Sequence, residues 1–506
     1  MPGFIKKPFK KKDLQSQPNS KNLNEIFQQA SKSSDFHQFS PIEKNQNKIL
    51  ISYYKSMVDA EKINRLLLPA IQKNAGKITG FDDLKNFVPF DDVDVTNDAT
   101  EIEKRLMKGY VIIQLGDLEK HYFTVNIENT NLGFRENNDT ENEFSVVGPK
   151  VGFVENIDIN VHLLRKQFAT SELVFEEITM GSMSKTKVLI CYLEGITNPQ
   201  HIQTIRQRLK NIDFDVIFDS SQIDQMISDS SNTPFPMFLS TERIDRVTYA
   251  VISGQVAILT NGSPYVVTGP STLMDFFISP EDYYLPWLVG SFFRIIRIMS
   301  VVFSIFATPL YIAVLTFHYE VIPEDLLGPL IYSRANVPFP PILEVIFLEI
   351  TIELLREAGA RLPTKIGQTL GIVGGIVIGQ AAVEAALTSN VLLIIVALSA
   401  LASFTTPIFK MSNTVRLLRF PFILLAAFWG GFGIIIGFIV LLGHLLSLKS
   451  LGTPYLVPLY PLRIKGFGDS FLRLPYQYTT TRARHLKPLS LKRYTPSQDK
   501  EDLNDE

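Results

Sequence analysis

Four glutamates and one arginine interrupt an otherwise apolar stretch in the C-terminal half of the chain. They are Glu344, Glu349, Glu353, Arg356 and Glu357. At 100° per residue, the last four share one face of a helix with Arg361. The rest of that helix is covered by apolar residues such as Ile346, Leu348, Ile350 and Leu354. Carboxylates on one helix face can concentrate cations along a path through a membrane.

Two interpretations of residues 341–357 remain open. A charge at the centre of a bilayer costs roughly 2.5–3.5 kcal/mol on insertion scales. The spacing of Glu353 with Arg356, and of Glu357 with Arg361, allows ion pairs within the helix that offset part of this cost. The segment is therefore either an amphipathic helix lying flat at the interface, or a helix that lines an ion path or a subunit seam. The apolar opposite face favours the second interpretation.

Glycines dominate the segment that follows, from 366 to 387. Gly367, Gly371, Gly375 and Gly379 are four residues apart, the spacing that lets helix backbones approach closely in lipid. Three roles fit this pattern: packing within one subunit, packing between subunits around a pore, or a hinge. The helix that carries these glycines must lie next to the acidic segment, which predicts an assembled helical bundle.

Signatures of catalysis and of cofactor binding are absent from the sequence. It contains no Walker lysine loop, no HExxH, no Gly-x-Ser-x-Gly elbow and no calcium loop. Cys191 is the single cysteine, so an intramolecular disulfide and a Cys-based metal cluster are excluded. The net charge of −2 argues against a nucleic-acid partner. We therefore predict no enzyme activity, no catalytic residues, no cofactor and no metal.

Composition divides the 506 residues into soluble and apolar parts. Residues 1–48 are polar and predict a disordered tail. Residues 49–165 and 166–284 predict two α/β lobes, because short runs of β-branched and aromatic residues alternate with helical patterns. In the second lobe, strands are predicted at Asp215–Phe218, Val247–Ile252 and Val256–Thr260, followed by a hairpin turn at Asn261-Gly262.

The remainder predicts an all-α, multi-span membrane domain at 285–462, followed by a basic and then acidic tail at 463–506. Predicted spans lie near 298–317, 366–387, 391–409 and 420–446, because about 20 apolar residues cross a bilayer. Residues 285–296 form an amphipathic interfacial piece, and 341–357 is amphipathic or pore-associated. The fold class is thus a two-lobed α/β soluble domain followed by a helical membrane domain.

Positive charge does not lead to one consistent topology. The N-terminus has no apolar core of signal-peptide length, which places the lobes in the cytoplasm. The loop with Lys410, Arg416 and Arg419 and the tail after Arg463 are both basic, so both are expected on the cytoplasmic side. A single span near 420–446 would place them on opposite sides unless residues 451–462 re-enter the membrane.

Several longer runs point to a known family. They are GPK at 148–150, GFVE at 152–155, SKTKVLICYLEGI at 184–196, RLKNIDFDVIFDS at 208–220, SNTPFPMFLSTERIDRV at 231–247, GQVAILTNGSPYVVTGP at 254–270, SPEDYY at 279–284 and the block from PFPPILEV to GIVIGQAAVEA at 338–385. With these runs the chain resembles the A subunit of the GerA family of spore germinant receptors, over roughly residues 48–465. One departure is Ile244, where the family usually has proline, so a looser local turn is expected there.

The resemblance implies a multi-pass protein of the spore inner membrane with a cytoplasmic N-terminal domain. It also implies a complex with B and C subunits that senses nutrients, and oligomers of A subunits that act as a nutrient-gated ion channel. Membrane lipid is a further expected partner. No nutrient-binding residues are transferred to this chain, because ligand recognition is usually assigned to the B subunit. The alternative hypothesis is a secondary transporter or permease for a nutrient or ion, although no internal repeat of the kind found in transporters is present.

Overall fold

The computed structural model describes residues 23–41, 49–78, 80–116, 121–129, 143, 147–362, 379–463, 466 and 469–494. The chain divides into two compact units. The first comprises Met1–Gly133 and Val161–Glu176, and the second comprises Phe134–Asn160 and Glu177–Glu506. The predicted fold class is confirmed in its main feature, an α/β N-terminal region followed by a helical region.

The first unit contains a five-stranded antiparallel sheet with the strand order β1-β2-β4-β5-β3. Its strands are β1 (Phe36–Phe39), β2 (Ile49–Tyr54), β3 (Val93–Thr96), β4 (Tyr110–Leu115) and β5 (Tyr122–Asn126). Neighbouring residues of a strand belong to different apolar clusters, as the twofold repeat of a strand requires. Val111 and Ile113 belong to one cluster, whereas Ile112 belongs to another. Apolar residues on both faces of the sheet are therefore buried.

Helices of the first unit follow the predicted pattern of alternation with strands. Their bounds are Leu23–Ala30, Ala60–Lys62 continued by a π-helix at Ile63–Leu67 and by Leu68–Lys73, Phe81–Phe87 and Ala99–Leu106. The helix Ile157–Gln167 begins in the second unit and ends in the first.

The prediction of a disordered tail over residues 1–48 was wrong for residues 23–41. The helix Leu23–Ala30 buries Ile26 and Ala30, and β1 pairs with β2. Asp35 accepts hydrogen bonds from Arg165 at 2.7 and 3.0 Å. Burial raises the pKa of Asp35, but Arg165 and the hydroxyl groups of Ser33 and Ser56 together outweigh it, and the net pKa lies below the ordinary value. This segment is ordered by partners far along the chain, which its own polar composition does not reveal.

The second unit contains a five-stranded sheet with the order β6-β7-β9-β10-β8. Its strands are β6 (Leu173–Met180), within which the chain passes from the first unit to the second, β7 (Thr186–Leu193), β8 (Leu239–Thr241), β9 (Val256–Thr260) and β10 (Val266–Gly269). Its lobe helices are Pro199–Asn211, Ser220–Ile227, Ile244–Ser253 and Glu281–Tyr284. The predicted hairpin is confirmed, since β9 and β10 pair antiparallel across a turn in which Gly262 has φ +88°.

Two strand predictions in the second lobe were wrong. Residues 215–218 form no strand. Residues 247–252 belong to the helix Ile244–Ser253, which ends at Gly254 with φ +99°. Valines and isoleucines favour strands, but this helix uses them to bury Val247 and Val251 in the lobe. Tertiary burial overrides the local preference here.

The C-terminal part of the second unit is helical. Its helices are the first apolar helix (Trp287–Phe317), Glu324–Arg334, the acidic helix (Pro341–Arg361), Gly379–Glu384, the short apolar helix (Asn390–Ser403) and the kinked helix (Phe409–Ser447). Short 3-10 helices occupy Leu273–Phe276, Tyr319–Val321, Tyr476–Tyr478 and Arg484–Leu486, and two short strands, β11 (Lys449–Ser450) and β12 (Thr453–Pro454), pair with each other.

Two of the described helices, the first apolar helix and the kinked helix, are long and apolar enough to cross a membrane by length and composition. The predicted interfacial piece at 285–296 and the predicted span at 298–317 both fall mainly in the first apolar helix. The predicted span at 391–409 corresponds to the short apolar helix, whose 14 residues rise about 21 Å. Most of the predicted span at 366–387 lies outside the described residues.

Candidate functional site: the acidic helix and its junction with the second lobe

The acidic helix begins at Pro341, where proline is common because its φ suits the first helical turn. One face is buried through Glu344, Val345, Leu348 and Glu349. Val345 and Leu348 join an apolar cluster with residues of the first apolar helix, the short apolar helix and the kinked helix. The helix is therefore held in a bundle by its N-terminal half.

Glu349 is buried and ion-paired with a residue of another helix. Its Oε2 accepts a hydrogen bond from Arg419 Nη1 at 2.5 Å, and its Oε1 accepts one from the Thr308 hydroxyl at 3.1 Å. Arg419 also donates to the Ser304 carbonyl oxygen at 2.9 Å and to the Ser399 carbonyl oxygen at 3.3 Å. Four helices are thus joined through one buried guanidinium group.

Glu344 has a second partner network at the opposite end of the buried face. Its Oε1 accepts a hydrogen bond from Arg334 Nη2 at 2.7 Å, and its Oε2 accepts one from the Ser389 backbone N–H at 3.3 Å. Ser389 precedes the short apolar helix and caps it, because its hydroxyl accepts a hydrogen bond from the Leu392 backbone N–H. Glu344 therefore pairs with the charge of Arg334 and also holds the start of the short apolar helix.

The remaining charged residues pair within the acidic helix, at the spacing that the sequence predicts. Arg356 donates to Glu353, and Arg361 donates to Glu357 at 2.5 Å. Arg356 also donates to Asn413 Oδ1 at 3.2 Å, in the kinked helix. The residues predicted to share a face thus fall into two groups. Glu349 is buried and pairs with another helix, whereas Glu353 and Glu357 are more exposed and pair within the acidic helix.

The glycine motif is only partly visible. Gly367, Gly371 and Gly375 lie outside the described residues. Gly379 begins the helix Gly379–Glu384, and a Cβ placed on it would lie 3.6 Å from Leu393 of the short apolar helix. Gly379 therefore faces its neighbouring helix at ordinary van der Waals distance.

The kinked helix is a helical hairpin that turns at Gly430, a position with φ +59° and ψ −140°. A straight helix would place residues 414 and 444 about 45 Å apart. Instead, Thr414 donates to the Pro234 carbonyl oxygen at 2.5 Å, and the His444 ring lies 2.9 Å from the Thr233 hydroxyl. Both ends of the kinked helix thus return to one loop of the second lobe.

Close packing of the two halves explains the glycines that follow the turn. A Cβ on Gly437 would lie 2.7 Å from Leu425 and 2.8 Å from Phe422, both in the first half. At the turn, a Cβ on Gly430 would lie 2.9 Å from Phe317, at the end of the first apolar helix. Each half has about 20 residues, roughly the length that crosses a hydrocarbon core.

The hairpin resolves the conflict over positive charge that the sequence raises. The basic residues near 410–419 and the tail after Arg463 can lie on the same side, because the intervening apolar run turns back on itself. Residues 451–462 do not form a re-entrant span as the alternative required. They contain β12 and buried turns, and Tyr455 donates to the Pro236 carbonyl oxygen of the second lobe at 2.9 Å.

A buried aspartate connects the second lobe to the first apolar helix. Asp282 accepts a hydrogen bond from Arg294 Nε at 3.0 Å and two from Arg297 at 3.2 Å. Arg294 is fully buried and also donates to the Asp469 carbonyl oxygen at 2.5 Å. The lobe, the first apolar helix and the C-terminal segment therefore meet at one charged cluster.

A second ion pair connects the same lobe to the kinked helix. Lys410 Nζ lies 2.6 Å from Asp224 Oδ2 in the helix Ser220–Ile227. Burial raises the pKa of Asp224 above its ordinary value, although Lys410 lowers it in part. Any displacement of the kinked helix must therefore alter the environment of a buried carboxylate in the lobe. Among the residues described, no group of three or more His, Cys, Asp or Glu side chains is arranged to hold a metal ion.

Comparison with known proteins gives the family. The model of the Bacillus/Clostridium GerA spore germination protein matches residues 21–485. Spore germination protein GerQA of Bacillus cereus is 46% identical and covers 90% of each chain. Spore germination protein A1 of Bacillus subtilis is 38% identical and covers 84% of this chain and 87% of its own. The chain belongs to the GerA family.

A solved structure also aligns with the chain. It is the N-terminal domain of the A subunit of the Bacillus megaterium spore germinant receptor GerK3, which is 25% identical and covers 50% of this chain and 95% of that domain, with a TM-score of 0.38.

Ile244 is the position at which the family resemblance predicts a looser turn. Ile244 is the first residue of the helix Ile244–Ser253, and its side chain is buried. Proline is favoured at such a position because its φ is already helical. Arg243, which precedes it, is held by Asp245 at 2.7 Å. The helix begins here without proline, and the adjacent ion pair holds its start.

Sequence reasoning missed the two residues that organise the bundle, Arg419 and Gly430. The sequence predicts Arg419 only as a loop charge, because nothing local indicates its pairing with Glu349. Gly430 had a usable signal, since Gly430-Gly431 interrupts the apolar run 420–446, which is longer than the roughly 20 residues that one crossing needs.

Proposed function

We propose that this protein is the A subunit of a nutrient germinant receptor complex that triggers spore germination together with B and C subunits. Its membership of the GerA family and its similarity to spore germination proteins along most of its length support this role. In this proposal the protein is a multi-pass protein of the spore membrane, with its N-terminal lobes in the cytoplasm. Its two long apolar helices support the membrane location by length and composition.

Within that complex, A subunits assemble into an oligomeric, nutrient-gated ion channel. The observation that carries this proposal is the outward face of the acidic helix. There, the partly exposed pair Glu353–Arg356 shares the helix surface with the exposed apolar residues Phe347, Ile350 and Leu354. Lipid tails do not accommodate charges, whereas a seam between subunits or a water-filled path does. Glu344, Glu349, Glu353, Arg356 and Glu357 are therefore proposed to line or support that seam, with Gly367, Gly371, Gly375 and Gly379 allowing close helix packing.

The junction supplies a way to couple the lobes to the bundle. Asp282 holds two arginines of the first apolar helix, and Asp224 holds Lys410 of the kinked helix. A change in the lobe that repositions either carboxylate would shift a bundle helix through an ion pair. Gating in this proposal passes through these two contacts.

Reconstitution of the A, B and C subunits into liposomes tests the proposal. Addition of the cognate nutrient should release trapped cations down their gradient, with no requirement for a second ion gradient. Liposomes that lack the A subunit should stay closed. Flux that stops when a coupling-ion gradient is removed, or that runs uphill, would instead identify a secondary transporter or permease.

The coupling step has a matched pair of variants. Lys410→Gln removes the partner of Asp224, whereas Lys449→Gln removes an exposed lysine just after the other end of the kinked helix. We expect slower nutrient-triggered ion release for Lys410→Gln at unchanged protein level, and normal release for Lys449→Gln. Equal release by the two variants would exclude a role for the Asp224–Lys410 contact in gating.

A further inference from the structure

The second unit contains a cavity of about 1010 Å³ that no residue of the acidic helix lines. Its wall comes from the helix Ile244–Ser253, from the linker that precedes the first apolar helix (residues 279–284), and from the C-terminal segment between 457 and 493. Its size suits a small-molecule ligand, since ligand pockets are commonly 300–1,000 Å³. The family resemblance and the proposed function assign no role to this space.

Arginine dominates the charge of this cavity. Five arginines line it against three aspartates: Arg246, Arg463, Arg482, Arg484 and Arg493, with Asp245, Asp275 and Asp469. Asp245 is already paired with Arg243 at 2.7 Å. Burial raises the pKa of Asp275 above its ordinary value. The cavity therefore carries an excess of positive charge.

Most of these arginines have no acidic partner. Within the described part of the chain, no carboxylate lies within 4.0 Å of Arg463, Arg482, Arg484 or Arg493 in an ion pair. Arg482 is buried and satisfied by backbone carbonyl oxygens, including that of Ile252 at 2.7 Å. Arg493 donates to the Ser253 hydroxyl at 2.6 Å, but its Nε is buried and has no hydrogen-bond partner. The Nε of Arg493 is thus a buried donor without an acceptor among the described residues.

A smaller cavity of about 600 Å³ adjoins the first and shares Arg463 and His485 with it. His201 lines this second cavity, with only 6% of its surface exposed and no partner for Nδ1. Burial, with a contribution from Lys487, lowers the pKa of His201 to about 4, so the ring is neutral near pH 7. It can therefore offer a hydrogen bond without adding charge.

We propose that this arginine-lined cavity binds a small phosphate-bearing anion. Arginine is suited to this role because its planar group donates two parallel hydrogen bonds to phosphate. The ligand would join the C-terminal segment, through Arg484 and Arg493, to the helix Ile244–Ser253. It would also stabilise the linker, because Tyr283 contacts Asp469 at 3.1 Å next to the cavity. The anion is either a soluble phosphate compound or a lipid headgroup that enters from the nearby start of the first apolar helix.

Calorimetric titration of the full-length protein in nanodiscs with inorganic pyrophosphate tests this site. Arg484→Gln is the main variant, because Arg484 is exposed and its side chain makes no described hydrogen bond that folding would lose. Lys492→Gln is the matched control, since it removes one exposed positive charge from the same segment outside the cavity wall. We expect Arg484→Gln to weaken pyrophosphate binding about tenfold, or roughly 1.4 kcal/mol, and Lys492→Gln to leave it nearly unchanged.

Lipid composition separates the two sources of the anion. Equal pyrophosphate affinity in phosphatidylcholine and phosphatidylglycerol nanodiscs assigns the site to a soluble anion. Weaker affinity in phosphatidylglycerol nanodiscs assigns it to a headgroup that competes. Absence of pyrophosphate binding in phosphatidylcholine nanodiscs, or equal loss in Arg484→Gln and Lys492→Gln, would overturn the proposal. None of these outcomes depends on channel activity, so the site and the proposed function fail separately.

Hydrogen exchange provides a second measurement. Pyrophosphate should slow amide exchange in residues 476–493 and in the linker 279–284 of the wild-type protein. Unchanged exchange in both segments under saturating pyrophosphate would show that the anion does not bridge them, and would also overturn the proposal.

Discussion

The two halves of the acidic helix carry the same residue types but use them differently. In the N-terminal half, the side chains of Glu344 and Glu349 are 0% and 4% exposed, and their arginine partners belong to other helices. In the C-terminal half, the side chains of Glu353 and Glu357 are 39% and 59% exposed, and their partners lie one turn away. Burial decreases steadily along the helix although the sequence repeats the same pattern.

This difference shows that the position of the arginine decides what a glutamate of the acidic helix can do. A partner on another helix excludes water and fixes the packing of the bundle, so loss of either charge leaves the other buried and unpaired. A partner on the same helix partly neutralises the charge of the glutamate but does not hold a second helix in place. We therefore expect structural roles for the first pair of glutamates, and contacts with water, ions or neighbouring subunits for the second.

The largest effect is expected from Glu349→Gln. The substitution leaves the buried Arg419 with neutral partners only, and removal of one member of a buried pair costs roughly 3–5 kcal/mol. Because glutamine keeps one hydrogen bond, we expect the free energy of unfolding to fall by about 3 kcal/mol, seen as reduced protein level in spores and as an earlier thermal transition in detergent.

The double variant Glu349→Leu, Arg419→Leu is the control for that prediction. Removing both charges leaves no unpaired ion, so protein level should recover in part. A double variant that is as unstable as Glu349→Gln would mean that the ion pair itself is not the source of the loss.

Glu344→Gln should have a smaller effect. Its partner Arg334 is 21% exposed and can turn toward water, whereas the Ser389 backbone N–H still finds an amide oxygen. We expect a destabilisation of about 1–3 kcal/mol, the cost of an imperfectly satisfied buried group. Thermal melting of Glu344→Gln and Glu349→Gln under the same conditions measures this destabilisation. A loss larger than that of Glu349→Gln would reverse the proposed order of the buried pairs.

Glu353→Gln should change stability by only about 0–1 kcal/mol, since its pair is partly exposed. If this face lines a cation path, the lost charge should weaken cation preference and slow ion release in reconstituted membranes. The measurements are reversal potential and nutrient-triggered release at matched protein level. Unchanged selectivity in Glu353→Gln would show that this face does not line a cation path. It would then be a contact between subunits or a structural surface of the helix.

Glu357→Gln should have the smallest effect of the series. Its carboxylate and Arg361 are both exposed and paired within one helix turn. We expect unchanged protein level and unchanged melting, which makes this variant the matched control for the other three. A clear loss of assembly in Glu357→Gln would indicate that another subunit covers the C-terminal half of the helix.

Much of this protein can be predicted from local sequence. The apolar run that begins near 298 predicts the first apolar helix, and Asn261-Gly262 predicts the hairpin between β9 and β10. The pairing of Glu357 with Arg361 also follows from spacing. In each case the residues that form the feature are close together along the chain, so the physical cause is present in the sequence itself.

Other features required tertiary structure because their causes lie far apart in the chain. Glu349 meets Arg419 across 70 residues, and the order of residues 33–35 depends on Arg165 more than 100 residues away. Val247 and Val251 lie in a helix because the lobe buries them, against the local preference of valine for strands. The turn at Gly430 converts one apolar run into two helices because the second half packs on the first. The sequence by itself determined the family, the apolar segments and the local ion pairs, whereas only tertiary contacts decided which charges are buried and where the chain turns back.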